Sequence, residues 1–354
     1  MSNQLPDIGK ISPEIFDELI YPHLGKKTKS VLVGPQHGVD IGIIDIGEGK
    51  VMAITTDPVF IVPEYGFERA AWFAIHILCS DAVTSGLKPS YLSIDLNLPL
   101  SITKEQLVTV WKKIDYECKK MGVAIVCGHT ARYTGCNYPM VGGATVISVG
   151  EKSRYVTPQM AKKGDLIVIT KGAAIEATGI FALAFKERIV KCFGEKFSQR
   201  ADKVFYMMSV VEDALTAASV GTREKGVTAM HDATECGIWG GLYEVAKASK
   251  VGMRIEKEKI IVLDEVAKIC SKFGMDPYSS ISEGTLIITC KEKKVELLLR
   301  KLSQKKIPAS VVGEVIPESK GIILVEKGAE KSLEHPRVDP FWQAFAKALE
   351  EGRK

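Results

Sequence analysis

Four aspartates stand where apolar segments of this 354-residue chain meet turns. They are Asp40 in Gly-Val-Asp-Ile-Gly, Asp57 in Thr-Thr-Asp-Pro, Asp81 in Cys-Ser-Asp-Ala-Val and Asp232 in His-Asp-Ala-Thr-Glu. An isolated anion at the edge of a core is costly to desolvate, so the fold must supply partners for these groups. Each aspartate alone is as well explained by a turn cap or a lysine partner. As a set beside glycines and threonines, they predict oxygen ligands for a hard cation such as Mg²⁺.

Strand-like and helix-like segments alternate along the whole sequence. The first half predicts a hairpin at 39–46 and 51–56, helices at 67–85 and 104–121, and strands at 91–98, 123–127 and 140–149. The second half begins with a strand at 166–170 and includes a helix predicted at 203–218. Polar residues at 150–164 predict a domain boundary. We therefore expect an N-terminal domain at 1–150, a C-terminal domain at 151–330 and a tail helix in 331–354, with helices and strands mixed in both domains.

Composition argues against several classes of function. The net charge is only +4 and the basic residues are dispersed, so we expect no nucleic-acid partner. The start of the sequence carries no secretory pattern, and the apolar runs fall short of the roughly 20 residues that cross a bilayer, so we expect no membrane partner. The eight cysteines form no Cys-x-x-Cys pair, which favours reduced thiols in a cytoplasmic protein.

Several glycine, hydroxyl and basic positions are candidates for nucleotide binding. They are Lys10, Gly38, Thr56, Gly128, His129 and Thr130. Gly38 lies in a flexible loop before the first aspartate, and Gly128 is predicted in a turn after a short buried strand, where its backbone can approach a phosphate. A lone loop histidine such as His129 is more often structural. Lys10 either reaches a phosphate or is simply solvated, and the sequence itself favours solvation.

The segment 230–242 is the most ordered pattern of the second half. Asp232 or Thr234 is placed to cap a helix that starts soon after, and the glycines permit anion approach at its N-terminus. Cys236 has no base at a motif spacing, which argues against a nucleophile. The sequence contains neither a Gly-x-x-x-x-Gly-Lys-Ser/Thr loop nor a Gly-x-Gly-x-x-Gly pattern after a strand, which argues against a P-loop or dinucleotide fold.

The order of these motifs resembles the aminoimidazole ribonucleotide (AIR) synthetase-related superfamily. That superfamily includes hydrogenase maturation factor E, selenophosphate synthetase and thiamine-monophosphate kinase. The resemblance runs from about residue 9 to residue 325, and the second half, with Met275-Asp276-Pro277 and Ser282-Glu283-Gly284-Thr285, looks closest to the hydrogenase maturation factor branch.

The resemblance implies an α/β N-terminal domain whose strands build a barrel across a homodimer, and an α+β C-terminal domain beside it. It also implies ATP in a cleft near the dimer interface. Carried over by position, Asp40, Asp57 and Asp81 would hold metal and phosphates, and Asp232 would be a metal ligand from the second domain. Gly128 and Thr130 would line the phosphate path.

The sequence also departs from these relatives. The hydrogenase factor carries its reacting group on a C-terminal cysteine, whereas the last cysteine here is Cys290, so we expect that reaction not to proceed in the same way. Selenophosphate synthetase uses an N-terminal cysteine or selenocysteine, and this sequence has no cysteine before Cys79. Thiamine-monophosphate kinase has Gly-Asp-Thr where this chain has Gly128-His129-Thr130, so one metal carboxylate would be absent.

Taken together, the motifs predict a homodimeric, Mg²⁺-dependent, ATP-binding enzyme that phosphorylates or ATP-activates a small-molecule acceptor. Asp57 and Asp81 are the predicted catalytic positions. The alternative is a non-catalytic nucleotide-binding protein that works with a protein partner in a maturation complex. The departures favour that alternative, and the retained aspartates favour an enzyme.

Overall fold

The structure is a computed structural model that describes residues 11 and 13–352, and these residues form two β-sheets with helices packed against them. Lys10, a predicted nucleotide contact, lies outside the described residues. The strands of the first sheet are β1 (Val31–Val33), β2 (Gly42–Gly47), β3 (Lys50–Phe60), β4 (Pro89–Leu98), β5 (Ala124–Arg132) and β6 (Met140–Glu151). Those of the second sheet are β7 (Asp165–Thr170), β8 (Val227–Asp232), β9 (Gly252–Glu256), β10 (Leu286–Lys291), β11 (Ala309–Ile316), β12 (Ile322–Glu326) and β13 (Ala329–Ser332).

The helices are distributed over both halves of the chain. They are α1 (Pro13–Ile15), α2 (Phe67–Thr84), α3 (Lys104–Met121), α4 (Ile175–Ala184), α5 (Lys186–Phe193), α6 (Glu195–Val204), α7 (Val211–Ala218), α8 (Gly237–Ser249), α9 (Asp264–Phe273), α10 (Glu292–Gln304) and α11 (Pro340–Gly352). A π-helix spans Phe16–Ile20, and short 3₁₀ turns lie at Tyr21–His23, Pro63–Tyr65, Pro158–Met160, Phe205–Met207, Arg223–Lys225, Lys257–Lys259 and Glu318–Lys320. Within residues 11 and 13–352, no helix is both long and apolar enough to cross a membrane.

The first sheet has the strand order β1-β2-β3-β6-β4-β5. The predicted hairpin is confirmed: β2 pairs antiparallel with β3 across Glu48 and Gly49, whose φ angles of 50° and 71° suit the tight turn that joins twisted strands. Strand β3 runs on to Phe60, so Asp57 lies inside it opposite Ala144 and not at its end as predicted. Strands β1 and β5 are the two edges in this chain, and the barrel across two copies stays a prediction.

Strand β5 corrects the sequence interpretation. The strand was expected to be short and buried, with Gly128-His129-Thr130 in the turn that follows it. Instead it extends to Arg132, contains those three residues, and leaves most of its side chains exposed, with Val126 at 55%. The apolar run suggested burial, but among the described strands β5 pairs with β4 alone and so forms an edge of the sheet.

Helix α2 joins the two halves. It is 18 residues long and buries 14 of them, from Ala70 to Thr84. One side packs on β3 and β6, while the other contacts α7 and β8 of the second half. The Val210 backbone N–H donates to Ser80 Oγ at 3.1 Å, which ties the last turns of α2 to the segment before α7. The helix therefore carries Asp81 towards the second sheet.

The second sheet has the order β13-β12-β9-β11-β7-β10-β8 and is antiparallel except for the β9–β12 pair. Strand β8, which ends at Asp232, lies at the edge that faces α2. The single helix predicted at 203–218 is wrong: α6 ends at Val204 and α7 begins at Val211. The break is stabilised by Lys171 Nζ, which donates to the carbonyl of Ser209 at 2.6 Å and pairs with Asp213 at 3.1 Å.

The chain leaves the first sheet at the end of β6, at Glu151, and enters the second sheet at the start of β7, at Asp165. We keep residue 150 as the proposed end of the N-terminal domain. Beyond the second sheet, the tail forms helix α11, whose Phe341 packs edge-on against Phe181 with ring centroids 5.7 Å apart. Asp339, just before α11, accepts the Cys236 N–H at 2.7 Å, so the tail is anchored at the start of α8.

A buried ionic network links α2, α3 and the break before α7. His76 Nε2 lies 3.2 Å from Glu117 Oε2, and His76 Nδ1 lies 2.8 Å from Ser209 Oγ. Lys113 Nζ pairs with the other Glu117 oxygen at 2.8 Å. Burial alone would raise the pKa of Glu117, but its hydrogen bonds to His76 and Lys113 lower that pKa to about 2. The carboxylate is therefore stabilised in its charged form.

We expect Glu117→Gln to lower the free energy of unfolding at pH 7 by ~1–3 kcal/mol, because it removes a hydrogen-bonded buried charge. A carboxylate with a lowered folded-state pKa contributes stability above the unfolded value of 4.5 and loses that contribution as the pH falls towards about 2. The difference between wild type and variant should therefore shrink from pH 7 to pH 3 in urea denaturation.

The matched control is Glu68→Gln. Glu68 faces the same lysine, with Lys113 Nζ 3.8 Å from Glu68 Oε1, but its side chain is 73% exposed. An exposed pair adds little to stability, so this variant should unfold close to wild type at both pH values. A Glu117→Gln deficit that stays constant between pH 7 and pH 3 would contradict the assigned ionisation.

Candidate metal and phosphate site

The four predicted aspartates come together in the fold. Asp40 lies in the loop before β2, Asp57 in β3, Asp81 in the last turn of α2 and Asp232 at the end of β8. The carboxyl of Asp81 is close enough to Asp57 and Asp232 to interact with both, and it also experiences the charge of Asp40. One loop, one strand and one helix of the first half and one strand of the second half thus contribute to one acidic cluster.

Asp81 is the carboxyl at the centre of this cluster. It is 7% exposed, and Thr55 Oγ1 donates to its Oδ2 at 3.3 Å. Burial raises the pKa of Asp81 well above its usual range, and the neighbouring Asp232 and Asp57 raise it further. Its place in the last turn of α2 adds an unfavourable helix dipole. A divalent cation would oppose each of these effects.

Asp232 carries the clearest indication of a missing partner. Its carboxyl is 1% exposed, and apart from the neighbouring Asp81 carboxyl and its own backbone N–H, neither of its oxygens has a hydrogen-bond partner among residues 11 and 13–352. Burial raises the pKa of Asp232, and the charge of Asp40 raises it further, against the opposite effect of His231. Because buried polar groups are nearly always satisfied, two orphaned carboxylate oxygens in an acidic cluster fit a metal ion.

His231 was not predicted as a site residue, although it stands beside Asp232 in the sequence. Its Nε2 lies 2.8 Å from Glu244 Oε2, and its Nδ1 lies 3.7 Å from Asp40 Oδ2. Burial alone would lower the pKa of His231, but Glu244, Asp40 and Asp232 raise it to about 9. In the absence of a cation, the imidazolium therefore partly offsets the acidic cluster. The neighbouring His231 and Asp232 in the sequence form the pattern from which this site residue could have been predicted.

Two glutamates also join the cluster without having been predicted. The Glu283 N–H donates to Glu176 Oε2 at 3.0 Å, and Glu283 Oε2 has no hydrogen-bond partner within the described part of the chain. Burial raises the pKa of Glu283 well above its usual range, and Asp232 and Glu176 raise it further. Burial likewise raises the pKa of Glu176 to about 7. A carboxyl held neutral by burial can donate a proton at a reacting atom.

Of the predicted nucleotide contacts, Gly38 lies next to the acidic cluster, whereas the side chain of Thr56 points away from it. Gly38 has φ +71°, and a Cβ there would lie 2.9 Å from the Glu244 Cβ, so only glycine fits this loop on α8. Thr56 is exposed on the opposite face of β3 from Thr55 and Asp57, because successive residues of a strand alternate between the two faces. Its hydroxyl is 2.8 Å from that of Thr145.

Gly128, His129 and Thr130 do not join the aspartates within one chain. Asp57 pairs with Ala144 on β6, Ala144 with Ile94 on β4, and Ile94 with Gly128 on β5. At about 4.8 Å per strand, three strand spacings separate Gly128 from Asp57 by roughly 14 Å. His129 Nε2 instead lies 2.9 Å from Tyr133 Oη. A role of this segment in nucleotide binding stays a prediction.

Helix α8 is not capped as predicted. Its N-cap residue is Cys236, and neither Asp232 nor Thr234 provides a side-chain cap. Asp232 is therefore available to the acidic cluster. All eight cysteines lie in the described residues and none forms a disulfide there, and Cys290 is buried in β10, fully shielded from solvent.

Comparison with protein families identifies the class. Residues 38–150 match the model for the N-terminal domain of AIR synthase related proteins, and residues 162–326 match the model for the C-terminal domain. The two matches cover most of the chain. This chain belongs to the AIR synthase related family, as its motifs predicted, and the predicted two-domain fold is confirmed.

Two curated relatives span almost the whole chain. A putative hydrogenase expression/formation protein of Methanocaldococcus jannaschii is 26% identical over 340 residues, covering 94% of this chain and 96% of the relative. A selenide, water dikinase of Carboxydothermus hydrogenoformans is 25% identical over 351 residues, covering 90% of this chain and 95% of the relative.

Solved structures share the fold. The HypE-HypF complex contains a chain that superposes with a TM-score of 0.71 at 21% identity, covering 91% of this chain and 99% of that chain. The hydrogenase maturation protein HypE in complex with ATP superposes with a TM-score of 0.65 at 21% identity, covering 94% and 97%. At this level of identity the likeness establishes the fold.

Proposed function

We propose that this protein is a Mg²⁺-dependent, ATP-binding enzyme that phosphorylates or ATP-activates a small-molecule acceptor. The observation that carries the proposal is the meeting of Asp40, Asp57, Asp81 and Asp232, drawn from both halves of the chain, around carboxylate oxygens that lack partners among the described residues. Such an arrangement is suited to a divalent ion bound to a polyphosphate.

In this proposal the four aspartates hold the metal, and Asp57 and Asp81 also position the transferring phosphoryl group. Bound Mg²⁺ would neutralise the negative charge on the phosphate oxygens. The protein contributes alignment, since phosphoryl transfer needs little covalent help. Gly38 is proposed to contact the nucleotide from the rim of the acidic cluster, and Thr56 is proposed as a further nucleotide contact on the other face of β3. Lys10, outside the described residues, keeps its predicted role as a phosphate contact.

The comparisons support the use of ATP. One structural neighbour is a HypE in complex with ATP, and one curated relative is named a selenide, water dikinase. The acceptor of this chain is not specified by those names. The eight cysteines form no disulfide within the described residues, which suits the reducing cytoplasm, and we propose that compartment.

We expect Asp57→Asn to reduce Mg²⁺-dependent phosphate release from ATP by at least ~100-fold, the scale seen when one preorganised electrostatic contact is removed. The fold should survive, because Asp57 is only partly buried at the rim of the cluster. The measurement is phosphate release in the presence of a panel of small acceptors, with EDTA to show the metal requirement.

The control variant is Asp45→Asn. Asp45 lies on the neighbouring strand β2 and pairs with Lys152 at 2.6 Å, away from the acidic cluster. It should leave turnover near the wild-type rate. Equal phosphate release by wild type and Asp57→Asn would count against the assignment of Asp57.

The second candidate is a nucleotide-binding protein without catalysis that acts with a protein partner. It is favoured by Cys290, the last cysteine, which is buried in β10 and so is not placed to carry a reacting group. One structural neighbour comes from a HypE-HypF complex. Tight ATP binding by calorimetry with no phosphate release for any acceptor would establish this role over the enzymatic one.

We further propose that two copies pair through the exposed edge strand β5. Within residues 11 and 13–352 its backbone has a partner strand on one side alone, and Val126 leaves 55% of its side chain exposed. Such an edge is a template for pairing with a second sheet. Pairing here would also bring Gly128 and Thr130 of one copy towards the other copy, where they can line a phosphate path.

We expect the protein to sediment as a dimer and Val126→Arg to sediment as a monomer, because an arginine in the pairing surface buries an unmatched charge. Ile46→Arg is the control, since Ile46 is similarly exposed, at 47%, on β2. A wild-type monomer at micromolar concentration in sedimentation velocity would refute the dimer.

A further inference from the structure

We propose that Asp40, His231 and Asp232 form a cation pocket in which the His231 imidazole is a direct ligand, so that the pocket favours first-row transition-metal ions such as Mn²⁺ over Mg²⁺. The inference rests on the proposed function only in sharing Asp40 and Asp232 with it. The imidazole ligand follows from the side-chain geometry of this chain and involves no nucleotide.

The distances around His231 suit ligation. Its Nδ1 is 3.7 Å from Asp40 Oδ2 and 3.9 Å from Asp232 Oδ1, and one ligand atom from each of the three residues lies within 4.8 Å of the others. These separations are too long for hydrogen bonds. Two ligands each about 2.1 Å from one ion lie roughly 3 to 4.2 Å apart, so an ion fits between these atoms with little movement.

The other ring nitrogen is already oriented. Nε2 lies 2.8 Å from Glu244 Oε2, which leaves Nδ1 turned to the two aspartates. A carboxylate behind the distal nitrogen is the usual arrangement of a metal-binding histidine, because it fixes the ring and strengthens the ligand. Gly38 packs on Glu244, where an added Cβ would lie 2.9 Å from the Glu244 Cβ. The loop that carries Asp40 therefore contacts the same glutamate that orients the His231 ring.

Asp232 supplies an independent observation. It is 1% exposed, and apart from the neighbouring Asp81 carboxyl and its own backbone N–H, neither carboxylate oxygen has a hydrogen-bond partner in the described residues. An imidazolium at His231 does not satisfy it, since Nδ1 remains 3.9 Å away. A metal ion that displaces the Nδ1 proton to solvent, while Nε2–H stays on Glu244, satisfies Asp40, Asp232 and His231 together.

The ligand set indicates the class of ion. Mg²⁺ is bound almost entirely by oxygen, whereas imidazole is a ligand for first-row transition metals. One imidazole nitrogen with two carboxylates therefore raises the affinity for Mn²⁺, Fe²⁺, Co²⁺ or Zn²⁺ relative to Mg²⁺. Mn²⁺ is the useful probe, because its electron spin reports a directly bound ¹⁴N nucleus.

The test uses the full chain with Mn²⁺ alone and no nucleotide. Electron spin echo envelope modulation should show ¹⁴N coupling from a bound imidazole in the wild type. His231→Gln should abolish that coupling and weaken Mn²⁺ binding by ~10-fold or more, the scale of perturbing a metal-ligating histidine. Mg²⁺ affinity, measured by competition, should change far less. His23→Gln, at an exposed histidine, should keep the coupling.

The inference is overturned if the wild type binds Mn²⁺ without ¹⁴N coupling, or binds none in the absence of nucleotide. The wild-type spectrum decides this even if His231→Gln fails to fold by circular dichroism. Glu244→Gln then provides a second variant, which should weaken Mn²⁺ binding but retain the coupling. Absence of ATP turnover together with intact ¹⁴N coupling would remove the proposed enzyme activity and leave this pocket standing.

Discussion

The desolvation of carboxylates between the two sheets is the constraint on which the rest of this structure depends. Asp81 and Asp232 are nearly inaccessible to water, close to each other, and flanked by Asp57 and Asp40. Their raised pKa values show that the fold without a cation disfavours their charged forms. Such a cluster persists in a stable fold when a bound ligand offsets the free energy of burying the carboxylates. A cation with a polyphosphate has the required charge and geometry.

Two elements create this cluster. Helix α2 (Phe67–Thr84) is buried on both sides because it packs on the first sheet and against α7 and β8 of the second half. Strand β8 (Val227–Asp232) ends at that contact. The acidic residues therefore meet where the halves meet, and any ligand held there restrains one half relative to the other. In the proposed function, a nucleotide-bound metal in this position would couple binding to the arrangement of the two domains.

The sequence predicted what depends on local pattern. Helix α3 begins and ends as expected, because Thr103 caps its start and Gly122 adopts the left-handed conformation at its end. The aspartates were found because each interrupts an apolar segment. His231 and Glu283 were missed, since their roles arise only when β8 and the segment before β10 are packed beside α2. The exposure of β5 was missed because an apolar run looks the same at an edge as in the middle of a sheet.

The most direct test of the central claim is a crystal structure with Mn²⁺ and a non-hydrolysable ATP analogue, with data collected at the manganese absorption edge. The account predicts an anomalous peak about 2.1–2.2 Å from carboxylate oxygens of Asp40, Asp57, Asp81 or Asp232, next to the phosphates of the analogue. The cavity beyond the terminal phosphate would then show the size and polarity of the acceptor. An analogue bound elsewhere, or aspartates that stay unligated at saturating Mn²⁺, would contradict the account.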